Sequence, residues 1–224
     1  MVAPQGKGEN CFCRMEIIQQ SHQILDELNQ DQILKKIELC GRTAYKSEDK
    51  ITPDSAEKFV KSIISRGHES VIEHVNITVK FITDRGVSHE LVRHRLVSYT
   101  QESTRYVNYS KHGMTVIEPL IAEGSFEYIL WLNRMRQVEQ DYNELIKSGA
   151  KPEEARCILP NCLKTEIVTT ANLREWRHIL KLRTSKEAHP QIRELMLGLL
   201  REFKEKLPII FDDVHENCYI QTKG

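Results

Sequence analysis

ELVRHRLVSYTQESTRY, residues 90–106, is the stretch on which the reading turns. Arg93, His94 and Arg95, cationic or potentially so, stand side by side, and Arg105 follows a run of hydroxyl and amide residues. A guanidinium presents a planar fork of donors that matches phosphate oxygens, and Ser103 with backbone N–H groups can complete the coordination. Tyr99 and Tyr106 could pack against a planar ring. The same charges would also suit a solvated patch at a helix end, where cations complement the dipole. Composition alone leaves both readings open. Ser88 to His94 reads as a short helix. Ser98 to Tyr109 has no clear period and reads as a loop or irregular strand.

Upstream, Val75 to Thr83 alternates: Val75, Ile77, Val79 and Phe81 point one way, with Asn76, Thr78 and Lys80 opposite. That is a strand with one buried face. Before it comes GHESVIEH, residues 67–74, in the helix-to-strand connection where functional loops tend to lie. A plainer reading has Gly67 and Ser70 shaping a turn and His74 starting the strand. His68 and His74 are six positions apart, which does not match the i, i+4 pair of a metalloprotease helix.

Further upstream, Met15 to Gln19 reads as a first strand and Asp31 to Tyr45 as a helix with Ile33, Leu34, Ile37 and Ala44 on one stripe. Thr52 and Pro53 suit the cap and first turn of another helix, with Phe59, Val60, Ile63 and Ile64 as its buried face and Gly67 as its stop. Downstream, Phe126 to Ile146 is a long amphipathic helix ended by Gly149. Pro152 opens a short helix that Pro160 closes. Lys164 to Thr170 is a strand candidate. Asn172 to Leu182 is a helix whose start fits a capping box, Asn172 and Glu175 lying three apart. Ile192 to Lys206 is the last long helix. Strands are few and do not alternate regularly with helices. The expected class is α+β: a small, mainly antiparallel sheet flanked by helices, as a single domain over residues 15–224 after a loose tail at 1–14.

Composition narrows the function classes. Lys plus Arg, 32, balances Asp plus Glu, 32, where a general nucleic-acid binder is usually basic. No run approaches the roughly 18 apolar residues of a membrane span, and the first residues lack the apolar stretch of a secretory signal. The expected compartment is the cytoplasm, where the six cysteines read as thiols. Cys11 and Cys13 form a lone C-x-C, and Cys157 with Cys162 has no matching second pair, so no metal is expected. Cys157 reads as a core residue of a small buried helix.

In RHR the last Arg is followed eight residues on by Ser103, and two further on by Arg105. This spacing resembles the signature of the flavin-dependent thymidylate synthases. GHESVIEH resembles the family's G-H-E-x-x-x-E-H element. EEARCILP resembles its A-R-x-x-L-P segment. TTANLREWRHILKLR resembles its N-x-R-x-x-x-(N/H)-(F/I)-L-x-x-R helix. The four elements come in the family's order across residues 67 to 183.

The resemblance implies reductive methylation of dUMP to dTMP. The carbon comes from 5,10-methylenetetrahydrofolate, the reducing equivalents from NADPH through bound FAD, and tetrahydrofolate is released. It also implies a homotetramer whose active sites combine residues of several subunits. No nucleic-acid or membrane partner is expected.

Residue by residue, Ser70, Arg93, His94, Arg95, Gln101, Asn172, Leu173, Arg174 and His178 would touch FAD. Glu90, Leu91, Val92 and Arg93, then Gln101, Glu102, Ser103, Thr104 and Arg105, and Arg156, would surround dUMP. Arg183 would face the uracil ring and favour ionisation at N3. The residues themselves agree on that last point: Leu173, Trp176 and Leu180 form an apolar stripe that Arg183 continues at i+3, and a charge there suggests a ligand, or else a helix-end contact. Arg174 and His178 share another face. Two departures stand out: many relatives have Glu where this chain has Gln101, and Gln where it has Glu90. The rival class is a non-catalytic nucleotide- or RNA-binding module using the Arg cluster.

Overall fold

A computed structural model describes residues 15–215. In chain order these form β1 (Glu16–Ile18), β2 (Ser21–Ile24), α1 (Gln30–Thr43), α2 (Ser55–Ser65), β3 (Asn76–Asp84), α3 (Arg85–Leu91), β4 (Ser98–Gln101), α4 (Tyr109–His112), β5 (Thr115–Ile117), α5 (Phe126–Lys147), α6 (Pro152–Ala155), β6 (Lys164–Asn172), α7 (Leu173–Arg183), α8 (Pro190–Lys206) and α9 (Pro208–Phe211). Tight 3₁₀ turns cover Glu48–Lys50, Glu69–His74 and Arg156–Ile158. The expected tail with Cys11 and Cys13 lies outside the described residues.

The class is α+β, with an antiparallel sheet and helices as expected. The chain packs as two compact units. One takes the segment up to Ile18 together with Ser103–Leu163; the other takes Gln19–Glu102 and the chain from Lys164 onward.

The second unit holds the main sheet, ordered β2-β3-β6-β4, with every pairing antiparallel. Alternation in β3 does what the sequence requires: Ile77, Val79 and Phe81 are fully buried, each worth about 1.5–3 kcal/mol of burial. β6 pairs with β3 along its full length, from Asn76 opposite Asn172 to Asp84 opposite Lys164. The other face of these strands carries a charge ladder: Lys164 bonds Glu102 at 2.9 Å and Glu166 at 2.7 Å, and Glu166 also pairs with Lys80. Trp176 of α7 donates its indole N–H to the Ile77 carbonyl at 2.9 Å and meets Phe203 of α8 edge-on. That lock fixes the rotation of α7: Leu173, Trp176 and Leu180 are fully buried, and Arg174 and His178 face out.

The first unit has its own core around Met114, Val116, Tyr142 and Leu163. Its two strands, β1 and β5, pair in parallel, the exception to the antiparallel rule. Ser125 caps α5 through the Tyr128 N–H, and Gly149 leaves the helix at φ +101°, a conformation that glycine tolerates best.

Several local expectations shift. The helix expected at Thr52 begins at Ser55 with Asp54 as its N-cap, because Ser55 Oγ is drawn into a bond with the Thr52 N–H. The helix expected over Ser88 to His94 runs instead over Arg85–Leu91, since Asp84 accepts the Val87 N–H and starts it early. His74 ends a 3₁₀ turn, and β3 starts at Asn76. β4 is a regular strand paired with β6, although its residues show no period: it is short and sits at the sheet edge. β2 and β5 are additional; neither is long enough to make a periodic signal. Cys157 is exposed on its turn and not part of a core.

Candidate active site

α3 ends at Leu91, and the chain turns through Val92, Arg93 and His94 toward β4. Tyr99 of β4 holds this turn. Its hydroxyl lies 2.6 Å from the Leu91 carbonyl and 2.9 Å from the His94 carbonyl, so one O–H is shared between two acceptors. Tyr99 packs against the main core, and burial, then the charge of Glu175, pushes its hydroxyl up to about 12. Tyr99 is therefore a clasp, not the flat platform its sequence context suggested.

The clasped turn points His94 inward and its two neighbours outward. His94 is 6% exposed, while Arg93 and Arg95 are exposed. Among the described residues neither of these arginines has a carboxylate partner within ion-pair distance. Ser70, Arg174 and His178 are exposed as well. His178 meets His94 edge-on, with ring centroids 6.0 Å apart. Arg174 pairs with Glu73 at 2.6 Å on the protein surface. Asn172 caps α7 through its Oδ1. Leu173 is fully buried and gives its N–H to Val75, so it fixes the start of the helix and has no side chain to offer a ligand.

Arg183, at the end of α7, is the most constrained cation of this group. Its Nη1 donates to the Glu90 carboxylate at 2.8 Å, Nη2 to the Glu90 carbonyl at 3.0 Å, and Nε to His94 Nε2 at 3.1 Å. Burial, then the charges of Arg183 and His178, pushes His94 down to about 4, so its imidazole is neutral near pH 7. Because Arg183 Nε–H can only donate, the neutral ring accepts at Nε2 and carries its proton on Nδ1. Nδ1 lies 3.8 Å from Glu175 Oε1. In the sequence Glu175 reads only as part of a capping box with Asn172; the structure adds it to the site. The available signal was its i, i+3 spacing from His178 on one helix.

His94, Glu175 and His178 offer ligand atoms within 4.8 Å of one another. The hydrogen bonding works against a metal there: one nitrogen of His94 accepts from Arg183 and the other bears the proton, so a cation would have to break that arrangement.

Gln101 and Glu102 are engaged. The Gln101 amide donates to Ser88 at 2.8 Å and Thr165 at 3.2 Å, and Lys164 holds Glu102. Leu91 is buried and Val92 is 40% exposed. The remaining expected nucleotide residues belong to the other compact unit. There Ser103 Oγ accepts the Arg105 N–H at 3.3 Å, and Arg105 pairs with Glu153 at 3.0 Å. Thr104 is 8% exposed, and Arg156 is exposed on its turn.

The residues present suit an anionic dinucleotide such as FAD. Exposed guanidiniums without carboxylate partners are what a diphosphate needs, and the neutral, buried His94 behind them is what an uncharged ring system tolerates.

Comparison with known proteins gives the family. Residues 24–209 match the family model described as thymidylate synthase complementing protein. A flavin-dependent thymidylate synthase of Geobacter sulfurreducens is 34% identical over 191 residues, covering 81% of this chain and 82% of that one. One from Thermococcus onnurineus is 37% identical over 169 residues, 72% of this chain and 69% of the other. Among solved structures, a UMP/dUMP methylase, PolB, of Streptomyces cacaoi bound with 5-Br dUMP superposes with a TM-score of 0.72 at 22% identity, over 88% of this chain and 95% of that one, which supports the fold. With most of its length matched and relatives above 30% identity, this chain belongs to the thymidylate synthase complementing protein family, and it is an enzyme of the flavin-dependent thymidylate synthase kind.

Proposed function

We propose that the chain converts dUMP, 5,10-methylenetetrahydrofolate, NADPH and a proton to dTMP, tetrahydrofolate and NADP⁺, with FAD as the resident cofactor. FAD, when bound, supplies the two-electron chemistry that links NADPH to the transferred carbon. The observation that carries the reading is the anchoring of Arg183 by Glu90 and His94.

A guanidinium stays charged at any working pH and, held in place, costs no reorganisation when negative charge develops on a nearby ring. Opposite uracil it stabilises the N3-ionised base and makes C5 more nucleophilic. Glu90 then has a specific task. Its carboxylate would repel a phosphate, yet here it neutralises and orients Arg183, which accounts for an acid where many relatives have Gln. His94 adds no charge of its own. It accepts one hydrogen bond and so limits the rotation of the guanidinium.

Arg93, Arg95 and Arg174, with Ser70, Gln101, Asn172 and His178, are the groups assigned to FAD. Ser103, Thr104, Arg105 and Arg156 are assigned to the nucleotide. We place the enzyme in the cytoplasm as a homotetramer with shared active sites. Leu96, Tyr106 and Phe126 are each about three-quarters exposed, which supports an assembly that covers them. Among the described residues no helix is long and apolar enough to cross a membrane.

The deciding experiment is release of tritium from 5-tritiated dUMP, measured with and without FAD, NADPH and methylenetetrahydrofolate. Release that needs all three supports the reading. A colourless, FAD-indifferent protein that binds long polyanions with steep salt dependence would overturn it in favour of a nucleic-acid module.

A further inference from the structure

We propose that Glu175 is a positioning residue of this active site, holding the proton of His94 on Nδ1 and thereby keeping Nε2 free to orient Arg183. The position is one that the family's helix motif leaves open, so no motif residue stands for it. Four features of the molecule carry the assignment.

First, Glu175 is placed with precision. It is the third residue of α7, and its backbone N–H is fixed by the Asn172 cap at 2.9 Å. Trp176, the next residue, locks the helix rotation through its bond to Ile77. The carboxylate is thus held on the inner side of the helix start, with its side chain 12% exposed.

Second, it faces the correct nitrogen. Glu175 Oε1 is 3.8 Å from His94 Nδ1, and Arg183 Nε is 3.1 Å from His94 Nε2. The two ends of the imidazole therefore meet an acceptor and a donor respectively, and only the Nδ1–H tautomer satisfies both. At 3.8 Å the carboxylate acts through its field or through one bridging water, and either favours a proton on the near nitrogen.

Third, it is the acid that faces this ring. The groups facing His94 are Arg183, His178 and Glu175, with the Tyr99 hydroxyl on its carbonyl. Two of these are cationic or potentially so, and Glu175 is the acid among them. Glu90, the other nearby acid, is committed to Arg183.

Fourth, the consequence of losing it is specific. Without a carboxylate at Nδ1 the ring is free to carry its proton on Nε2. Two N–H groups, those of Arg183 Nε and His94 Nε2, would then point at each other, and Arg183 would keep only its two bonds to Glu90. The guanidinium would stay in the site but gain freedom to turn. Small losses of orientation in a charge-stabilising group lower the rate of the chemical step more than they lower binding.

The catalytic consequence rests on the function proposed above, while the tautomer does not, and the test separates them. Full-length protein labelled with ¹⁵N-histidine is compared as wild type, Glu175→Ala and Glu175→Gln. His94 is assigned by the signal lost in His94→Gln. Two-bond ¹H–¹⁵N correlations distinguish protonated from bare ring nitrogens. The wild type should carry the proton on Nδ1. Glu175→Ala should transfer a large share of it to Nε2, and Glu175→Gln, whose amide oxygen still accepts, should largely retain the wild-type pattern.

In tritium release, Glu175→Ala should lower kcat about tenfold with the KM for dUMP changed less than threefold, and Glu175→Gln should recover most of the loss. The melting temperature of each variant controls for a merely structural role. A wild-type proton on Nε2, or an unchanged tautomer in Glu175→Ala, overturns the proposal. So does stoichiometric zinc uptake by the wild type that depends on Glu175, because that requires a bare nitrogen facing the acid. A shift of tautomer in a protein that never releases tritium would leave the positioning intact and sink the proposed reaction instead.

Discussion

Arg177 of α7 and Glu69, in the turn that precedes β3, are joined at 3.0 Å by a charge pair whose arginine end is almost wholly buried. The same guanidinium also pairs with Asp213 at 2.6 Å and donates to the Ile210 carbonyl. One side chain thus ties the GHE turn, the helix bearing His178 and the segment from Ile210 to Asp213. Burial raises Asp213, but the hydrogen bond and charge of Arg177 outweigh it and hold the carboxyl below its ordinary value. Removing Arg177 takes the partner from Asp213 and leaves Glu69 only the longer pair with Lys181 at 3.9 Å, though both acids can reach water. Arg177→Met should therefore cost about 2–4 kcal/mol, near the lower end for breaking a buried pair, measured by urea unfolding. A loss under 0.5 kcal/mol would show that the tie is ornamental. The sign with pH follows from the lowered Asp213: its contribution is present above the unfolded carboxylate range and is lost as pH falls through the folded value.

His94 makes stability fall in mild acid. Its folded value, about 4, lies below the ordinary histidine value of 6.5, so between those pH values the unfolded chain binds a proton that the folded one does not. Stability should decline as pH drops from about 6.5 toward 4, by up to about 3 kcal/mol, and this contribution should level off below. Urea unfolding of the flavin-free protein across that range, compared with His94→Gln, checks it. If both proteins show the same slope, His94 is not the group responsible.

Arg183→Ala should remove the fixed positive charge assigned to uracil. A loss of about 10²–10³ in kcat is expected, as for a preorganised electrostatic group. Arg183→Lys should recover little, because an ammonium cannot bond Glu90 twice and His94 once in the same plane. Tritium release reads this directly, and turnover within threefold of wild type for the alanine variant would refute the role.

What could be read from the sequence follows from period and length. β3 and the apolar stripe of α7 were legible because each repeats its pattern over nine or more residues. The RHR cluster was visible as charge, and the resemblance gave it meaning. The parts that escaped are those set by contacts distant in sequence. Strand β4 is an edge strand of four residues whose register comes from β6. Tyr99 looked like a stacking ring because nothing local shows that its hydroxyl meets the Leu91 and His94 carbonyls. Glu175 reads as a cap because its spacing from Asn172 is local, whereas its approach to His94 joins residues far apart in sequence. Cys157 was placed in a core because its neighbours looked helical, yet the turn at Arg156–Ile158 exposes it.

That exposure sharpens an expectation about mechanism. Cys157 stands beside Arg156 and is the one cysteine within the four family-like elements. An exposed thiol that fills no core costs little to remove, so Cys157→Ala should change stability by less than about 0.5 kcal/mol. Under the activating role proposed for Arg183, covalent thiol attack on uracil is not required. Cys157→Ala should keep turnover within twofold, and a folded variant with no tritium release would show that the thiol takes part after all.

Tyr99→Phe isolates the clasp on the RHR turn. The substitution keeps the ring in the core and removes only the oxygen that bridges the Leu91 and His94 carbonyls. Leu91 and His94 are both buried, so the loss of their shared donor should cost about 1–3 kcal/mol of stability. The larger effect should fall on the turn itself. Arg93 and Arg95 take their directions from the backbone on either side of His94, and His94 takes its distance to Arg183 from the same turn. Loosening it should weaken flavin retention several-fold, read as flavin lost on gel filtration, and should lower kcat less than Arg183→Ala does. A variant that melts earlier but keeps its flavin and its kcat would make Tyr99 a core residue and nothing more.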